Sequence, residues 1–231
     1  MKYGNIISPI IVSLLFITSS IYAMPTDGPI LPGKGKWEIG AETNLLFEKQ
    51  MKRPKGDLES EQYFTTISYA PFSWLSLDFR LGCGNLKFEP KDTDSINYNT
   101  SFAGGYGFRG KLTEPDKYVI DILYAFQHIS VHPDPRTVNG VKNEIFMDDW
   151  QTSLICAKRF NLLYPYMAIK YSKVTLSRVT SKRNDRKRAG SVDHVGLAVG
   201  TDFIFGDNLT VNIEGCFFDE EAMSAGLSWR F

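Results

Sequence analysis

The sequence predicts an all-β chain folded as one up-and-down antiparallel barrel of about ten strands, with eight as the alternative count. Apolar residues recur at every second position along most of the chain, which is the pattern of half-buried strands. Turn residues separate most of these segments, and no segment shows a convincing helical period. The length of 231 residues fits one domain, or at most two small ones, and a hydrophobic fraction of 43% excludes a mostly disordered chain.

Ten alternating segments follow one another from Lys36 onward. Within each segment the apolar residues share one side of the strand, because successive side chains point to opposite faces. The apolar faces begin at Trp37, Tyr63, Leu75, Phe102, Tyr118, Trp150, Met167, Val195, Leu209 and Met223.

The N-terminus is predicted to be a secretory signal peptide spanning residues 1–23. Lys2 precedes a short apolar run, and Ala23 offers a small residue for cleavage. A membrane anchor is the alternative, but a spanning helix needs about 20 apolar residues and this run is shorter. Residues 24–35 are rich in Pro and Gly and are expected to form an irregular lead-in, so that the barrel occupies residues 36–231.

The connections between the segments alternate in length, which predicts that all long loops lie at one end of the barrel. The long polar connections are Phe47–Gln62, Phe88–Tyr98, Val131–Glu144 and Val179–Ser191. The short ones are Pro71–Trp74, Thr113–Asp116, Asn161–Tyr164 and Gly206–Asn208. Short inner turns and longer outer loops are typical of barrels that cross outer membranes.

The composition of the second strand face decides between a membrane barrel and a soluble one. That face combines many glycines with charges of both signs: Glu38, Glu42, Asp78, Asp121, Asp202 and Glu214, with Arg80, Arg109, Lys111, Arg159, Lys170 and Arg230. Glycine weakens strands, so a water-facing surface gains nothing from it, whereas a crowded lumen needs small residues beside long ones. We therefore expect a transmembrane barrel with ion pairs inside; a soluble barrel with an apolar interior is the alternative.

Aromatic residues near the short-turn end predict an interfacial girdle, although strands favour aromatic residues in general. They are Trp37, Phe72, Trp74, Tyr118, Phe160, Tyr164, Phe205, Trp229 and Phe231.

Composition also limits the partners. Equal numbers of acidic and basic residues argue against a nucleic-acid partner, which usually requires a basic excess. Cys83, Cys156 and Cys216 lie far apart with no metal-binding spacing, so neither a disulfide framework nor a cofactor is expected.

From Lys36 to Phe231 the chain resembles small bacterial outer-membrane β-barrels. The most specific element is the last segment, residues 222–231, which alternates and ends in Phe231 like the signal that the family's assembly machinery recognises. The resemblance implies export to a bacterial outer membrane, contact with its lipids and lipopolysaccharide, and assembly by that machinery. We expect a monomer, and ten strands leave a lumen close to the size that side chains fill, so a porin channel is not expected.

One stretch points to possible chemistry. His128 and Ser130 share one side of a strand, the side of the lipid-facing residues, and lie near the long-loop end. The stretch from Phe126 to Glu144 is similar to the lipid A 3-O-deacylases. This resemblance implies His128 as base, Ser130 as nucleophile, Asn139 as oxyanion donor and Glu144 as the acid that orients the histidine. The spacing to Asn139 and Glu144 runs slightly long, and that family has eight strands.

A second pattern is weaker. Asp148–Asp149 and Asp193–His194 stand where strands meet long loops, and they resemble the aspartate and histidine residues of the ten-stranded omptin proteases. Here the Asp and His are adjacent, so their side chains diverge.

The connection from Arg178 to Arg188 is strongly basic. Lys182, Arg183, Arg186, Lys187 and Arg188 suit the phosphates of lipopolysaccharide, because guanidinium and ammonium groups bind phosphate well. A solvated loop explains the same composition. The sequence thus leaves two principal functions open: a structural or surface-interaction barrel acting through its outer loops, and a lipid ester hydrolase. A narrow channel is a third.

Overall fold

The computed structural model describes residues 25–91, 94–113, 120–138, 140–180 and 185–231, without the side chains of 180, 185 and 186. Its strands are β1 Trp37–Lys52, β2 Gly56–Phe72, β3 Leu75–Pro90, β4 Ile96–Lys111, β5 Asp121–Asp134, β6 Arg136–Val138, β7 Val141–Ala157, β8 Leu163–Thr180, β9 Asp185–Ser191, β10 Val195–Phe205, β11 Leu209–Phe217 and β12 Glu221–Arg230. Within these residues, no helix is long and apolar enough to cross a membrane.

Ten of the described strands form a closed antiparallel barrel. Each of the ten pairs with the next of the ten along the chain. β12 pairs with β1, from the residue pair Glu38 and Arg230 to the residue pair Glu48 and Glu221, and this pairing closes the cylinder. The short strands β6 and β9 are additional and lie at the end of the barrel opposite to the two termini. The predicted fold class is therefore confirmed, with ten strands rather than eight.

The predicted assignment of the two strand faces is also confirmed. Leu81 and Ile169 are 64% and 62% exposed on the outside of the barrel, whereas Asp78 and Lys170 are buried inside it. An apolar exterior around a closed backbone hydrogen-bond network is what hydrocarbon requires of a spanning β-structure. Arg159 is an exception to the predicted lumen set, because it is exposed in the turn between β7 and β8.

Exposed aromatic side chains surround the inner end of the barrel, where the short turns lie. Those that face outward are Trp37, Phe72, Trp74, Phe160, Phe205, Trp229 and Phe231. Tyr164 was expected in this girdle and is instead buried, with its hydroxyl donating to Asp121 inside the barrel. Its position, one residue out of phase with Leu163, turns it inward. Tyr118 lies outside the described residues.

The expected long loops are largely folded as strand. β10, β11 and β12 have 11, 9 and 10 residues, the length that spans a membrane, whereas β1–β4, β7 and β8 have 16 to 18. At about 3.3 Å per residue, the longer strands continue for about 20 Å beyond the outer end of the shorter ones.

These continuations form a second ring, here called the outer collar, whose described residues are 48–61, 85–91, 94–99, 131–138, 140–147, 173–180 and 185–191. β9 lies above β10–β12 and connects β8 to β1. It pairs with β8, where Ala189 lies opposite Leu176, and with β1, where Ser191 lies opposite Met51. The inside of the collar is mainly apolar: Met51, Leu58, Leu86, Phe88, Ile145, Met147, Leu176 and Ala189 are buried there, with Ser60, Asn143, Ser177 and Ser191 as buried polar residues. The sequence analysis expected ions and glycine throughout the interior, and this apolar layer differs from that expectation.

Candidate functional site

The N-terminal segment Pro25–Leu31, here called the plug, folds back into the barrel from its inner end. The backbone nitrogen of Thr26 donates to Glu214 Oε1 at 2.8 Å, and its hydroxyl donates to Glu214 Oε2 at 2.6 Å. Thr26 is only 1% exposed, although its segment has no regular secondary structure. The plug therefore occupies the polar lumen that the sequence analysis assigned to side chains alone.

Arg109 connects the barrel wall to the plug. Its Nε and Nη2 atoms donate to the two carboxylate oxygens of Asp78 at 3.0 and 2.9 Å, a bidentate pair. Its remaining nitrogen, Nη1, donates to the carbonyl oxygens of Asp27 at 2.6 Å and Ile30 at 2.8 Å. Arg80 forms a second connection, because it pairs with both Glu42 and Asp27. Irregular backbone is thus hydrogen-bonded inside the lumen, as buried backbone must be.

Gly28 allows the plug to pass close to the wall. Its φ of +65° is unfavourable for residues with a Cβ, and a Cβ would lie 2.8 Å from Asp202 Oδ1. Both the conformation and the space therefore require glycine here.

A second ionic group, here called the outer ion cluster, closes the lumen at the base of the collar. It consists of Lys49, Lys170, Asp219 and Glu220, whose side chains are all fully buried. Lys49 Nζ lies 2.9 Å from Asp219 Oδ2 and 2.8 Å from Glu220 Oε2, and Lys170 pairs with the same two residues. The turn between β11 and β12 thus points into the barrel.

The two acids of this turn experience opposite electrostatic effects. Burial alone would raise the pKa of Glu220, but Lys170 and Lys49 outweigh it and hold that pKa at about 2. Burial, followed by the neighbouring Glu220 charge, raises the pKa of Asp219. The cluster therefore holds Glu220 as a firmly ionised partner of the two lysines.

The predicted His128–Ser130 pair lies on the outside of the barrel, but the structure joins Ser130 to other residues. Ser130 Oγ donates to Asp148 Oδ1 at 2.7 Å and lies 2.8 Å from His132 Nε2. His128 stacks on Trp150 at a ring distance of 4.0 Å, and its Nδ1 donates to the Asp149 carbonyl oxygen at 3.0 Å. The sequence reasoning missed His132, although its position two residues after Ser130 places it on the same face.

The other two residues of the predicted hydrolase site are not joined to this group. Glu144 accepts a 2.7 Å hydrogen bond from Lys142 in the collar, at the part of β7 that pairs with Val179. Asn139 lies outside the described residues. The described residues thus contain a Ser–His–Asp contact, but the orienting acid and oxyanion donor remain predictions.

The omptin-like pattern is not assembled. Asp149 points into the lumen and accepts from Ser172 Oγ at 2.9 Å, whereas Asp148 points outward to Ser130. Asp193 is exposed, and His194 Nδ1 contacts the Ser172 carbonyl oxygen at 3.0 Å. Adjacent residues in a strand face opposite sides, so the two aspartates cannot act together.

The basic connection lies at the outer rim of the collar. Lys187 and Arg188 are exposed on β9, while Lys182, Arg183 and the side chain of Arg186 lie outside the described residues. At the opposite end of the barrel, Phe231 is exposed, and its backbone nitrogen donates to the Trp37 carbonyl oxygen at 3.0 Å. Its role as an assembly signal stays a prediction.

Solved structures with a similar fold are outer-membrane barrels. The chain is similar to the translocator domain of the autotransporter NalP from Neisseria meningitidis, with a TM-score of 0.50, 11% identity, and coverage of 89% of this chain and 91% of that one. It is also similar to the outer membrane protease OmpT from Escherichia coli, with a TM-score of 0.46, 11% identity, and coverage of 90% and 100%. No protein-family model and no curated protein sequence matches the chain.

At sequence identities of 11%, these similarities show a shared fold and no shared function. The barrel's own exterior supplies the remaining argument, because a closed cylinder with an apolar outer band and a polar interior is the form in which β-structures cross bacterial outer membranes. The protein is an integral outer-membrane β-barrel.

Proposed function

We propose that the protein is a sealed barrel that serves a structural or surface-interaction role through its outer collar. The observation that supports this is the double filling of the lumen, by the plug from the inner end and by the outer ion cluster and the apolar collar from the outer end. A filled lumen offers no route for solutes. The collar, by contrast, carries about 20 Å of ordered strand beyond the membrane, which is a rigid support for binding.

The two sides of the collar differ in charge. The side formed by β1–β3 carries both signs, with Glu48, Asp57, Glu59, Glu61 and Glu89 beside Lys52, Arg53, Lys55, Lys87 and Lys91. The side formed by β8 and β9 carries the exposed cations Lys173, Lys187 and Arg188. We propose that the side formed by β8 and β9 binds lipopolysaccharide phosphates. Lys173 pairs across the strands with the exposed Trp150 on the exterior face, and tryptophan favours the interface between membrane and water.

A charge-matched pair of variants tests this proposal. Lys173→Gln, Lys187→Gln and Arg188→Gln together should weaken binding of purified lipopolysaccharide in detergent, whereas Lys52→Gln, Lys55→Gln and Lys91→Gln, exposed on the side formed by β1–β3 where carboxylates offset the cations, should leave it unchanged. Wild-type protein should also bind dephosphorylated lipopolysaccharide more weakly. Equal losses in both triple variants would show that net charge, not this surface, determines binding.

A lipid ester hydrolase is the second candidate, and the contact of Ser130 with His132 at the outer membrane surface favours it. In such a reaction, Ser130 Oγ would bond to the acyl carbon of a lipid while a histidine takes the hydroxyl proton and passes it to the departing lipid oxygen. Water would then release the fatty acid from the serine. The present hydrogen bond directs the Ser130 proton to Asp148 instead, so a rotation of the hydroxyl is required first.

Mass spectrometry of lipid A from cells expressing the protein distinguishes the two functions. A hydrolase should remove one acyl chain, and Ser130→Ala and His132→Ala should both abolish this loss, while His128→Ala identifies which histidine acts as the base. Unchanged lipid A with correctly folded wild-type protein would eliminate the hydrolase.

A further inference from the structure

A cavity of about 560 Å³ lies at the inner end of the barrel, between the plug and the wall. Plug residues Pro29, Ile30 and Leu31 line it, together with Tyr164 and Ile204 of the wall. Sites for small molecules have volumes of about 300–1,000 Å³ and combine apolar walls with a few polar groups. The cavity is therefore large enough for a small molecule.

The cavity is a recess in the inner end and not a passage through the barrel. Lys111 of β4 lines it, and Arg109 lies two residues deeper on the same strand. Arg109 donates to the carbonyl oxygens of Asp27 and Ile30, so it holds the plug across the lumen at that level. A molecule that enters from the inner end meets the plug and can only bind there.

Most of the charges that line the cavity already have partners. Lys111 Nζ lies 2.9 Å from Asp121 Oδ1, and the Tyr164 hydroxyl donates to the same carboxylate. Arg230 Nε lies 3.3 Å from Glu38 Oε2. Each of these pairs is neutral as a whole, so they do not determine which charge a ligand carries.

Two charges of opposite sign remain. Arg159, in the turn between β7 and β8, and Asp207, in the turn between β10 and β11, are exposed and line the cavity, and neither forms an ion pair with the described residues. The two turns are neighbours, because the backbone nitrogen of Ile204 donates to the Leu162 carbonyl oxygen at 2.8 Å. A guanidinium group binds a carboxylate, and a carboxylate binds an ammonium group, through charge-assisted hydrogen bonds.

We infer that this cavity is a binding site for a zwitterion with a free α-carboxylate and a free α-ammonium group, which is the chemistry shared by amino acids and short peptides. Arg159 binds the carboxylate and Asp207 binds the ammonium. The apolar side chains of Ile30 and Leu31 and the ring of Tyr164 contact the remainder of the ligand. The site lies at the end of the barrel opposite to the outer collar, so it does not depend on the surface proposed to bind lipopolysaccharide.

Equilibrium dialysis of the folded barrel in a nonionic detergent tests the inference, with alanine and trialanine as probes. At least one free probe should bind, and the tighter of the two identifies the ligand as an amino acid or a peptide. N-acetylation or C-amidation of that probe should each weaken binding about tenfold, because each removes one charge-assisted hydrogen bond. Absence of binding by both free probes, or equal binding of free and blocked forms, would overturn the inference.

Charge-neutral variants assign each end of the ligand. Arg159→Gln should remove the preference for a free carboxylate and retain the preference for a free ammonium, and Asp207→Asn should do the reverse. The matched control is Lys158→Gln, which removes an adjacent cation that lies 5.1 Å from the centre of the Phe160 ring, and it should retain both preferences. Loss of the same preference in Lys158→Gln and Arg159→Gln would contradict the assignment.

A variant that fills the cavity tests the location of the site without changing its charge. Ser73 is an exposed residue that lines the cavity from the turn between β2 and β3. Ser73→Trp should weaken binding of the free and blocked probes alike, because the indole ring occupies the space of the ligand. Unchanged binding in this variant, with its fold confirmed by the band shift on unheated gels, would place the ligand elsewhere and refute the inference.

Discussion

Arg109 illustrates how single residues determine what the lumen holds. It forms a bidentate pair with Asp78 and also binds three carbonyl oxygens of the plug, so one side chain stabilises both the wall and the inserted segment. Breaking a buried pair is costly because the remaining charge is left without a partner.

We expect Arg109→Leu to lower the free energy of unfolding by about 3–5 kcal/mol, because Asp78 is left buried and unpaired. Lys111→Leu, which breaks the partly exposed pair with Asp121, should cost about 1 kcal/mol or less. Urea unfolding in detergent micelles measures both changes. Restoration of most of the loss by the double variant Arg109→Leu, Asp78→Leu would support the pair as the cause, and equal costs for Arg109 and Lys111 would refute it.

Glu220 gives the outer ion cluster a dependence on pH. Its folded pKa of about 2 lies below the unfolded value of about 4.3, so its contribution to stability is present above the unfolded pKa and is lost as the pH falls through the folded one. We expect Glu220→Gln to lower the unfolding temperature at pH 7, and this difference from wild type to shrink between about pH 4.3 and about pH 2. A difference that stays constant over that range would show that Glu220 does not act through its charge.

Individual residues also show where sequence reasoning stops. Arg80 points inward and the adjacent Leu81 points outward, as predicted, because β3 is regular at these residues. Lys49 has the parity of the outward Leu45, yet it is buried, since a bulge between Leu46 and Lys49 reverses the phase. Periodicity contains no signal for that bulge, so Lys49 could not be predicted as a lumen residue, whereas Lys170, the other cation of the outer ion cluster, was predicted.

At the scale of elements, the outer collar is the main departure from the sequence-based description. Its outward residues are mostly charged or polar, as in Glu59, Glu61 and Lys87, so the sequence pattern predicts loops in these stretches. Their alternating partners, such as Leu58 and Leu86, are buried instead. The location of the plug inside the barrel could not be predicted either, because an irregular segment rich in Pro and Gly has no periodicity that indicates where it lies.

The collar should behave like a soluble domain, with a packed apolar interior and a polar exterior, attached to a membrane barrel. Phe88→Ala should lower the free energy of unfolding by about 3–5 kcal/mol, because it leaves a cavity in a packed interior. Phe79→Ala, on the lipid face of the same strand, should cost less because lipid chains occupy the vacated space. Urea unfolding monitored by tryptophan fluorescence compares the two, and the opposite order would mean that the collar has no packed core.

At the scale of the whole molecule, two separate groups of residues close the lumen of the barrel, so its closure is redundant. The plug closes the inner half of the lumen with Asp27 and Thr26, and the outer half is closed independently by Lys49, Lys170 and the turn at Asp219. The strand count and the polarity of the faces were predictable, but redundancy of this kind results from tertiary insertions that the pattern of single strands does not record.

Redundant closure predicts a specific result in planar bilayers. The wild-type barrel should give no conductance steps, and deletion of residues 25–31 should also give none, because the outer ion cluster and the collar still block the lumen. Conductance should appear only when that deletion is combined with removal of β9, the collar strand above β10–β12, and with replacement of the outer ion cluster by alanine at Lys49, Lys170, Asp219 and Glu220. Folding of each variant can be checked by the shift of its band on unheated gels. Steps from the plug deletion alone would show that the outer half is open, and they would favour the narrow channel over the sealed barrel.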